Sequence, residues 1–463
     1  MTVPTQTMTP EQAAVHLRTL AAVRATCSEL LAHPDALTSF DVHPAKIPDV
    51  VDTVLALITR DYPTPSAVPP HSRWRHFEVS PPGAADPRPV PRLTPLIAAW
   101  REAGADDIEV VRRLVDLFVV SVLVDAGAGD AWTYRADGEP VGPGGPYVRS
   151  EGLALASLDW FARGGLSSDP SGAPHRVDAD ALQRLAVAEL EAAFQVSAEN
   201  PLVGAAGRTE LLRRLGAVCV AHPRFFAGTT AAGGPARPGN MVDFLLTHPT
   251  TTHDAASGRP TVIHVSALWE VVMDGISGIW PATRTAVAGT SLGDVWPSTA
   301  MAAIRAADPT SAGLPAEAAP LVAFHKLSQW LTYSLMEPIA LLGVRFAGVD
   351  GMTGLAEYRN GGLLVDMGVI TLKPDVRARF AEGQLPRFAV HDDAVVEWRA
   401  LTVAILDKVG EAVRKSLGMS GEELPLVKVL EAGTWKAGRE IAAKLRPKTK
   451  GPPIEIISDG TVF

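Results

Sequence analysis

The sequence predicts a mainly α protein, one large multi-helix domain with long Pro/Gly-rich loops and few short strands. Three observations lead there. Most of the 463 residues fall in Ala/Leu-rich segments bounded by helix start and stop signals. Prolines crowd into connectors, ten of the 38 lying within 61–95, where the missing backbone donors forbid regular helix. Strand signals are confined to 261–265 and 454–457. In chain order, helix is expected over 10–31, opened by Pro10 and ended by His33-Pro34, and over 48–60, between Pro48 and a Tyr-Pro stop. Helices at 104–124 and 150–162 follow, separated by the Gly/Pro-rich stretch 126–146, and then helices at 178–196 and 207–220. After a loop-rich region at 227–260, helices at 262–280, 320–343, 393–417 and 433–446 complete the chain. The expected division is a helical segment with its Pro-rich connector at 1–95 and a main helical domain at 96–463.

Composition narrows the function. Apolar residues make up 47% and charged residues 20%, which suits a chain with a substantial core. The 42 basic against 51 acidic residues leave a net charge of −9, which argues against a nucleic-acid partner, since phosphate neutralisation needs a basic surface. Cys27 and Cys219 share no short spacing, so neither a CxxC zinc site nor a disulfide framework is expected, and the chain fits a reducing compartment. The N-terminal residues lack the basic flank and apolar core of a signal peptide. The longest apolar run, 114–124, contains Asp116 and is too short to cross a membrane. A cytoplasmic globular protein without a membrane partner is the expectation.

Several catalytic patterns are absent: there is no P-loop, no dinucleotide fingerprint and no HExxH. His248 and His253 flank Pro-Thr-Thr-Thr, which is neither a helical pair nor a zinc spacing, so no metal and no cofactor are expected. Gly289-Thr-Ser291-Leu-Gly293 matches GxSxG, but no buried strand precedes it and no helix follows, so it reads as a loop.

Four blocks carry candidate chemistry. In 348–370, Glu357 and Arg359 sit between glycine-rich turns, facing either a pocket or each other as a structural ion pair. Asp366, inside the apolar run of the same block, is either a hydrogen-bonded core aspartate or an active-site acid, and the core reading is favoured. In 392–407, Asp393 is the expected N-cap. Glu397 there shares an apolar stripe with Leu401, Ile405 and Val409, and either takes a cation from Arg359 or Arg399 or is placed by the helix dipole. In 324–338, Lys326, Trp330, Tyr333 and Glu337 line one helical face, suited to a sugar or phosphorylated ligand or to an interhelical contact, and His325 starts another row. In 125–152, Asp130, Trp132, Arg149 and Glu151 form either a pocket rim or a packed Gly-rich turn. The six Lys/Arg of 436–450 read as a solvated face that can also attract an anion.

The strings RSEGLALASLDWF, FHKLSQWLTYSLMEP, GLAEYRNGGLLVDMGV, VVEWRALTVAILD, GTWKAGREIAAKLRP and PPIEIISDGTVF resemble the uracil-catabolism protein four family, also called the Urg-three family. The resemblance covers roughly 95–463. It implies a pathway in which the uracil ring is opened at the ribosyl level to ribosylurea, together with other uracil-pathway enzymes as partners. GLAEYRNGGLLVDMGV followed by VVEWRALTVAILDKV is also similar, more distantly, to the queuosine-phosphate salvage N-glycosidases, which are helical and resemble helix-hairpin-helix DNA glycosylases. By that resemblance their motif aspartate falls on Glu357, their motif arginine on Arg359, and their later acidic and basic pair on Glu397 and Arg399. Glu in place of Asp and the Asn-Gly-Gly after Arg359 are departures from that pattern.

Together these resemblances imply a metal-independent N-ribosidase acting on ribosylurea, phosphorylated or not. Cleaving a C1′–N bond builds oxocarbenium character that a carboxylate can stabilise, while the leaving nitrogen takes a proton. The expected catalytic acids are Glu357 and Glu397. Arg359, Arg399, Tyr358, Trp398, His325, Lys326, Trp330, Asp130, Trp132, Arg149 and Glu151 are the expected substrate-binding set. The competing readings are a ureido hydrolase of the same pathway and a non-catalytic scaffold for its enzymes.

Overall fold

The computed structural model describes residues 7–85, 88–129, 131–228, 234–280, 283–308 and 313–457. The fold is mainly α. Its helices of eight or more residues are α1 (Pro10–Leu17), α2 (Leu20–Ala32), α3 (Ile47–Asp61), α4 (Leu93–Glu102), α5 (Asp107–Leu123), α6 (Arg149–Ala162), α7 (Ala205–Ala221), α8 (Thr299–Ala307), α9 (Lys326–Ala340), α10 (Tyr358–Asp366), α11 (Asp393–Leu417) and α12 (Trp435–Leu445). The strands are two to five residues long and pair in small two- or three-stranded patches. No helix among the described residues is long and apolar enough to cross a membrane.

Packing divides the chain into two units, one drawn from 1–71, 281–329 and 350–463 and the other from 72–280 and 330–349. The first change of unit along the chain follows His71. The reason is hydrophobic: Leu17, Val23, Leu30, Val50 and Val54 belong to the same buried cluster as Leu401 and Ile405, so the N-terminal helices are core, not an appendage.

In the first unit, the 25-residue α11 is the central helix, packed against α2, α3 and α10. Its stripe of Glu397, Leu401, Ile405 and Val409 is fully buried, as its four-residue spacing predicts. Asp392 occupies the N-cap position and Gly418, at φ 65°, closes the helix. Asp393, the expected cap, instead accepts the Thr299 N–H at 2.8 Å and so caps the start of α8. The expected single helix over 10–31 is broken at Thr19, whose hydroxyl donates to the His16 carbonyl at 2.7 Å and accepts the Ala22 N–H at 3.1 Å. One side chain therefore ends α1 and starts α2. Around this frame lie an antiparallel pair, Phe40–Val42 with Ile370–Leu372, and a parallel pair, Arg387–Ala389 with Glu455–Ile457. The GxSxG segment is a tight hairpin, Ala286–Val287 with Thr290–Ser291, turning through Ala288 and Gly289 at positive φ.

The stretch expected as helix from 320 opens instead as a strand, Leu321–Ala323, antiparallel to Val295–Pro297. Asp294 forces the change. Its backbone carbonyl accepts the Phe324 and His325 N–H groups, and its carboxylate accepts the Lys326 N–H at 2.9 Å. The chain thus turns at His325 (φ 49°) and enters α9. Asp294 is itself anchored by Arg399, which donates Nη1–H and Nη2–H to the two carboxylate oxygens at 2.8 and 2.7 Å and lies 4.0 Å over the Phe324 ring.

In the second unit, α5 and α6 pack together, and a three-stranded sheet joins Thr252–His253, Pro260–His264 and Arg345–Ala347. The expected helix at 262–280 is a strand, a short helix (Val265–Glu270) and a π turn (Val271–Gly275). Asp116 of α5 is fully buried. It accepts the Gly239 N–H at 2.6 Å and the Val177 N–H at 3.2 Å, and lies 3.4 Å from Arg237. Burial is the largest influence and pushes its carboxyl up to about 7, against the pull of Arg237 and the two N–H groups.

Two predictions follow from these buried groups. Arg399→Met leaves the Asp294 carboxylate buried without its cation, at a cost of about 3–5 kcal/mol in denaturant unfolding. Asp116 binds its proton more tightly in the native state than in the unfolded chain, so its contribution to stability is complete in acid. That contribution declines as pH rises from about 4 towards the native value of about 7. The stability difference between wild type and Asp116→Asn, followed by denaturant unfolding from pH 4 to 8, should shift against wild type across that window.

Candidate functional site

The geometry around Glu357 starts from the turn at Asp294. Because Asp294 caps α9, the first turn of that helix is fixed, and with it Lys326. Gln329, in the same turn, exchanges hydrogen bonds with Thr353, accepting its N–H at 2.9 Å and donating Nε2–H to its hydroxyl at 2.9 Å. That clamp holds the segment leading to Glu357 against the turn that carries Lys326.

Glu357 is the N-cap of α10, not a loop residue between glycine turns. Its carboxylate accepts the Arg359 N–H at 2.7 Å and the Asn360 N–H at 2.5 Å. The glycines after it are inside the helix for lack of room: a Cβ on Gly361 would stand 2.6 Å from Trp398 Nε1 and 2.8 Å from Thr402 Oγ1. Glu357 keeps partial contact with solvent. Its carboxyl is raised by burial, the largest effect, and lowered by the two N–H groups and the charges of Lys326 and His71. A carboxylate on a helix N-terminus that still touches solvent, within the field of Lys326 and His71, can in its ionised form meet developing positive charge.

The second half of the cluster comes from a π-helical turn, Leu430–Thr434, directly before α12. Glu431 in this turn lies 2.5 Å from Nδ1 of His71. Thr434, at its end, donates to the Asn360 side-chain oxygen at 2.9 Å. The next residue, Trp435, is half-exposed, with its ring 5.3 Å from the His71 ring and the Arg439 guanidinium 4.8 Å above it. π turns recur at functional sites because the extra residue re-aims side chains. The cluster Glu357, Lys326, His71, Glu431 and Trp435 thus combines two carboxylates, an imidazole, an ammonium and an aromatic face within one unit. Among the described residues, no group of His, Cys, Asp and Glu side chains is arranged to hold a metal.

The remaining expected site residues are distributed elsewhere. Glu397 is fully buried and accepts the Thr38 N–H at 2.6 Å, the Thr38 hydroxyl at 2.8 Å and the Ser39 N–H at 2.9 Å. It pins the chain entering Phe40–Val42 and takes no cation from Arg359 or Arg399. The expected second catalytic acid is therefore corrected to a structural carboxylate, and Arg399 to the partner of Asp294. Arg359 donates Nη1–H to the Lys450 carbonyl at 2.8 Å and lies 5.1 Å from the ring of the half-buried Tyr358. Trp398 is 2% exposed, packed beneath Gly361. His325 is also buried, with Nε2 2.8 Å from the Leu17 carbonyl and its pKa pushed down by burial, so it serves the backbone turn. Asp366 pairs with Arg446 through both carboxylate oxygens, at 2.8 and 2.5 Å, the bonded aspartate its setting predicted.

Trp330, Trp132, Arg149 and Glu151 belong to the second unit. Trp330 is buried edge-on against His76, and Trp132 is buried with Nε1–H donating to the Phe194 carbonyl at 3.0 Å. Arg149 (φ 54°) and Glu151 are half-exposed at the start of α6, where Glu151 supports the charge of the buried Arg73. Asp130 lies outside the described residues. A shallow cavity of about 430 Å³ in the first unit, lined by Val365, Leu372, Arg377, Leu385 and Pro453 among others, is mostly apolar and contains no acid. It offers less chemistry than the Glu357 cluster.

His71, Glu431 and Trp435 are the residues that sequence reasoning missed. His71 follows Pro69-Pro70 inside the Pro-rich connector, where the polar and aromatic run His-Ser-Arg-Trp-Arg-His was the available signal. Glu431 and Trp435 flank a glycine in a segment whose helical period is interrupted.

Comparison with known proteins places this chain among relatives of similar length. "Uracil catabolism protein 4" of Lachancea kluyveri is 39% identical over an alignment covering 98% of this chain and 100% of that protein. "Protein urg3" of Schizosaccharomyces pombe is 40% identical, covering 93% of this chain and 94% of its own length. Residues 16–463 match a family described as "Protein of unknown function (DUF1688)". With nearly the whole chain covered by both kinds of match, the chain belongs to that family.

Proposed function

We propose that this protein acts in uracil catabolism as a hydrolytic N-ribosidase, cleaving the C1′–N bond of ribosylurea or its 5′-phosphate to urea and ribose or ribose phosphate. The pathway rests on the name carried by a relative 39% identical over its whole length. The reaction rests on one observation: Glu357, a solvent-touching carboxylate on the N-terminus of α10, lies in the field of Lys326 and His71.

Departure of the nitrogen leaves positive charge on C1′ and the ring oxygen, and the Glu357 carboxylate stabilises that cation while water adds. The N–H groups of Arg359 and Asn360 fix the carboxylate in place before substrate arrives. Lys326 favours its ionised form and, with Arg439 above Trp435, offers positive charge to a 5′-phosphate.

Urea release from synthetic ribosylurea and its 5′-phosphate tests this reading. Wild type should release urea and free sugar, and Glu357→Gln should lower kcat by about 10²- to 10³-fold, since the amide keeps the shape and loses the charge. Turnover of neither compound by folded wild type would move the assignment to a binding or scaffold role, while equal turnover by both proteins would place the chemistry away from Glu357. The pH profile gives an independent check. The carboxylate form is the active one, so kcat/KM should rise with pH on the acid side, through a pKa above that of an ordinary glutamate. Lys326→Met removes a charge that lowers this pKa, so the acid limb should move further towards neutral pH.

A further inference from the structure

The proposed cleavage needs a proton for its leaving group, and Glu357 does not supply it if its work is to remain ionised beside C1′. A urea nitrogen departing as an anion is a poor leaving group, and general-acid assistance lowers that barrier. Within the cluster, one side chain is built for proton transfer. His71 is 5% exposed, with Nδ1 2.5 Å from Glu431 and its ring against Trp435. It is near enough to Glu357 for its charge to act on that carboxylate. A carboxylate on Nδ1 holds that N–H and fixes the ring plane, so the proton that the imidazolium form gives up is the one on Nε2. The π turn secures both ends of the arrangement: Glu431 at its start holds the imidazole, and Thr434 at its end holds Asn360, whose N–H holds Glu357. Acid and carboxylate are thus registered to each other through one five-residue turn.

We propose that His71, oriented by Glu431, is the proton donor to the departing nitrogen, a role that rests on the ribosidase reading and names the second catalytic residue of the same site. As the C1′–N bond breaks, its electron pair passes to the urea nitrogen, which takes the Nε2 proton. Water then forms the C1′–O bond and returns a proton to Nε2. The sum is ribosylurea plus water giving urea plus ribose, with the imidazolium restored. Glu431 does not touch substrate and is a positioning residue.

The test compares two leaving groups. Ribosylurea needs a proton on departure, whereas p-nitrophenyl riboside leaves as a stable phenolate and needs none. His71→Asn, whose amide can still donate to Glu431, should lower kcat on ribosylurea by about 10²- to 10⁴-fold and change kcat on the nitrophenyl riboside by less than about tenfold. Glu431→Gln should show the same split at smaller amplitude, and it stands in if the His71 variant does not fold. Equal losses on both substrates would reduce His71 to a structural or binding role, and no loss on either would remove it from the site. Wild type inert towards ribosylurea would sink the ribosidase reading itself, an outcome visible before any variant is made.

Discussion

The buried pairing of Asp294 with Arg399 is the constraint on which the first unit depends. Taking two charges out of water is expensive, and the structure offsets that cost by saturating the carboxylate. Both oxygens receive Arg399, one also takes the Trp296 indole N–H at 2.7 Å, and the other takes the Lys326 N–H. The Arg399 charge, working against desolvation, holds the Asp294 carboxyl well below the usual carboxylate range. The anchored residue can then dictate the backbone next to it. It ends the strand Leu321–Ala323, holds His325 in the left-handed region that costs a non-glycine residue about 1–3 kcal/mol, and starts α9 one residue later. Through the Gln329–Thr353 clamp, the same anchor sets where Glu357 begins α10.

Much of this was legible because helix boundaries are written in local chemistry. The C-terminal end of α11 at Gly418, the start of α3 near Pro48 and the burial of the Glu397 stripe follow from spacing and capping alone. Partners were not legible in the same way. The position of Glu397 on an apolar face called for compensation, and a cation was the obvious candidate. The chain used three donors from Thr38 and Ser39, 359 and 358 residues away in sequence, which no local pattern encodes. The Asn-Gly-Gly of α10 reads as a turn because glycine is a poor helix former. It is helical because a neighbouring helix presses Trp398 and Thr402 against it, a tertiary demand that overrides propensity. His71 was hidden by its surroundings, since a proline-dense connector advertises irregular backbone and says nothing of where one of its side chains is held.

The two acidic residues at the heart of this unit illustrate how environment divides labour among identical functional groups. Asp294 sits with a guanidinium and loses its proton far into acid, so its charge is a fixed part of the framework. Glu357 has backbone N–H groups and more distant cations, and burial outweighs them, so its carboxyl is raised. A group pushed up in a solvent-touching position is one whose protonation state can respond to a ligand, whereas a group pushed down and sealed is not. That contrast separates Asp294, a fixed part of the framework, from Glu357 more clearly than residue type does.

The π turn at Leu430–Thr434 has a consequence for how this region records its own history. One residue more than an α-helix needs shifts everything after it by about 100° about the helix axis. The short helix before the turn, Leu426–Val429, and α12 after it are therefore out of phase with each other. A deletion of one residue here would remove that offset and swing α12 away from α10. The segment is in this sense a frame-shifted helix, whose rotational offset carries information that composition does not, and length within these five positions should be far less tolerant of change than identity is.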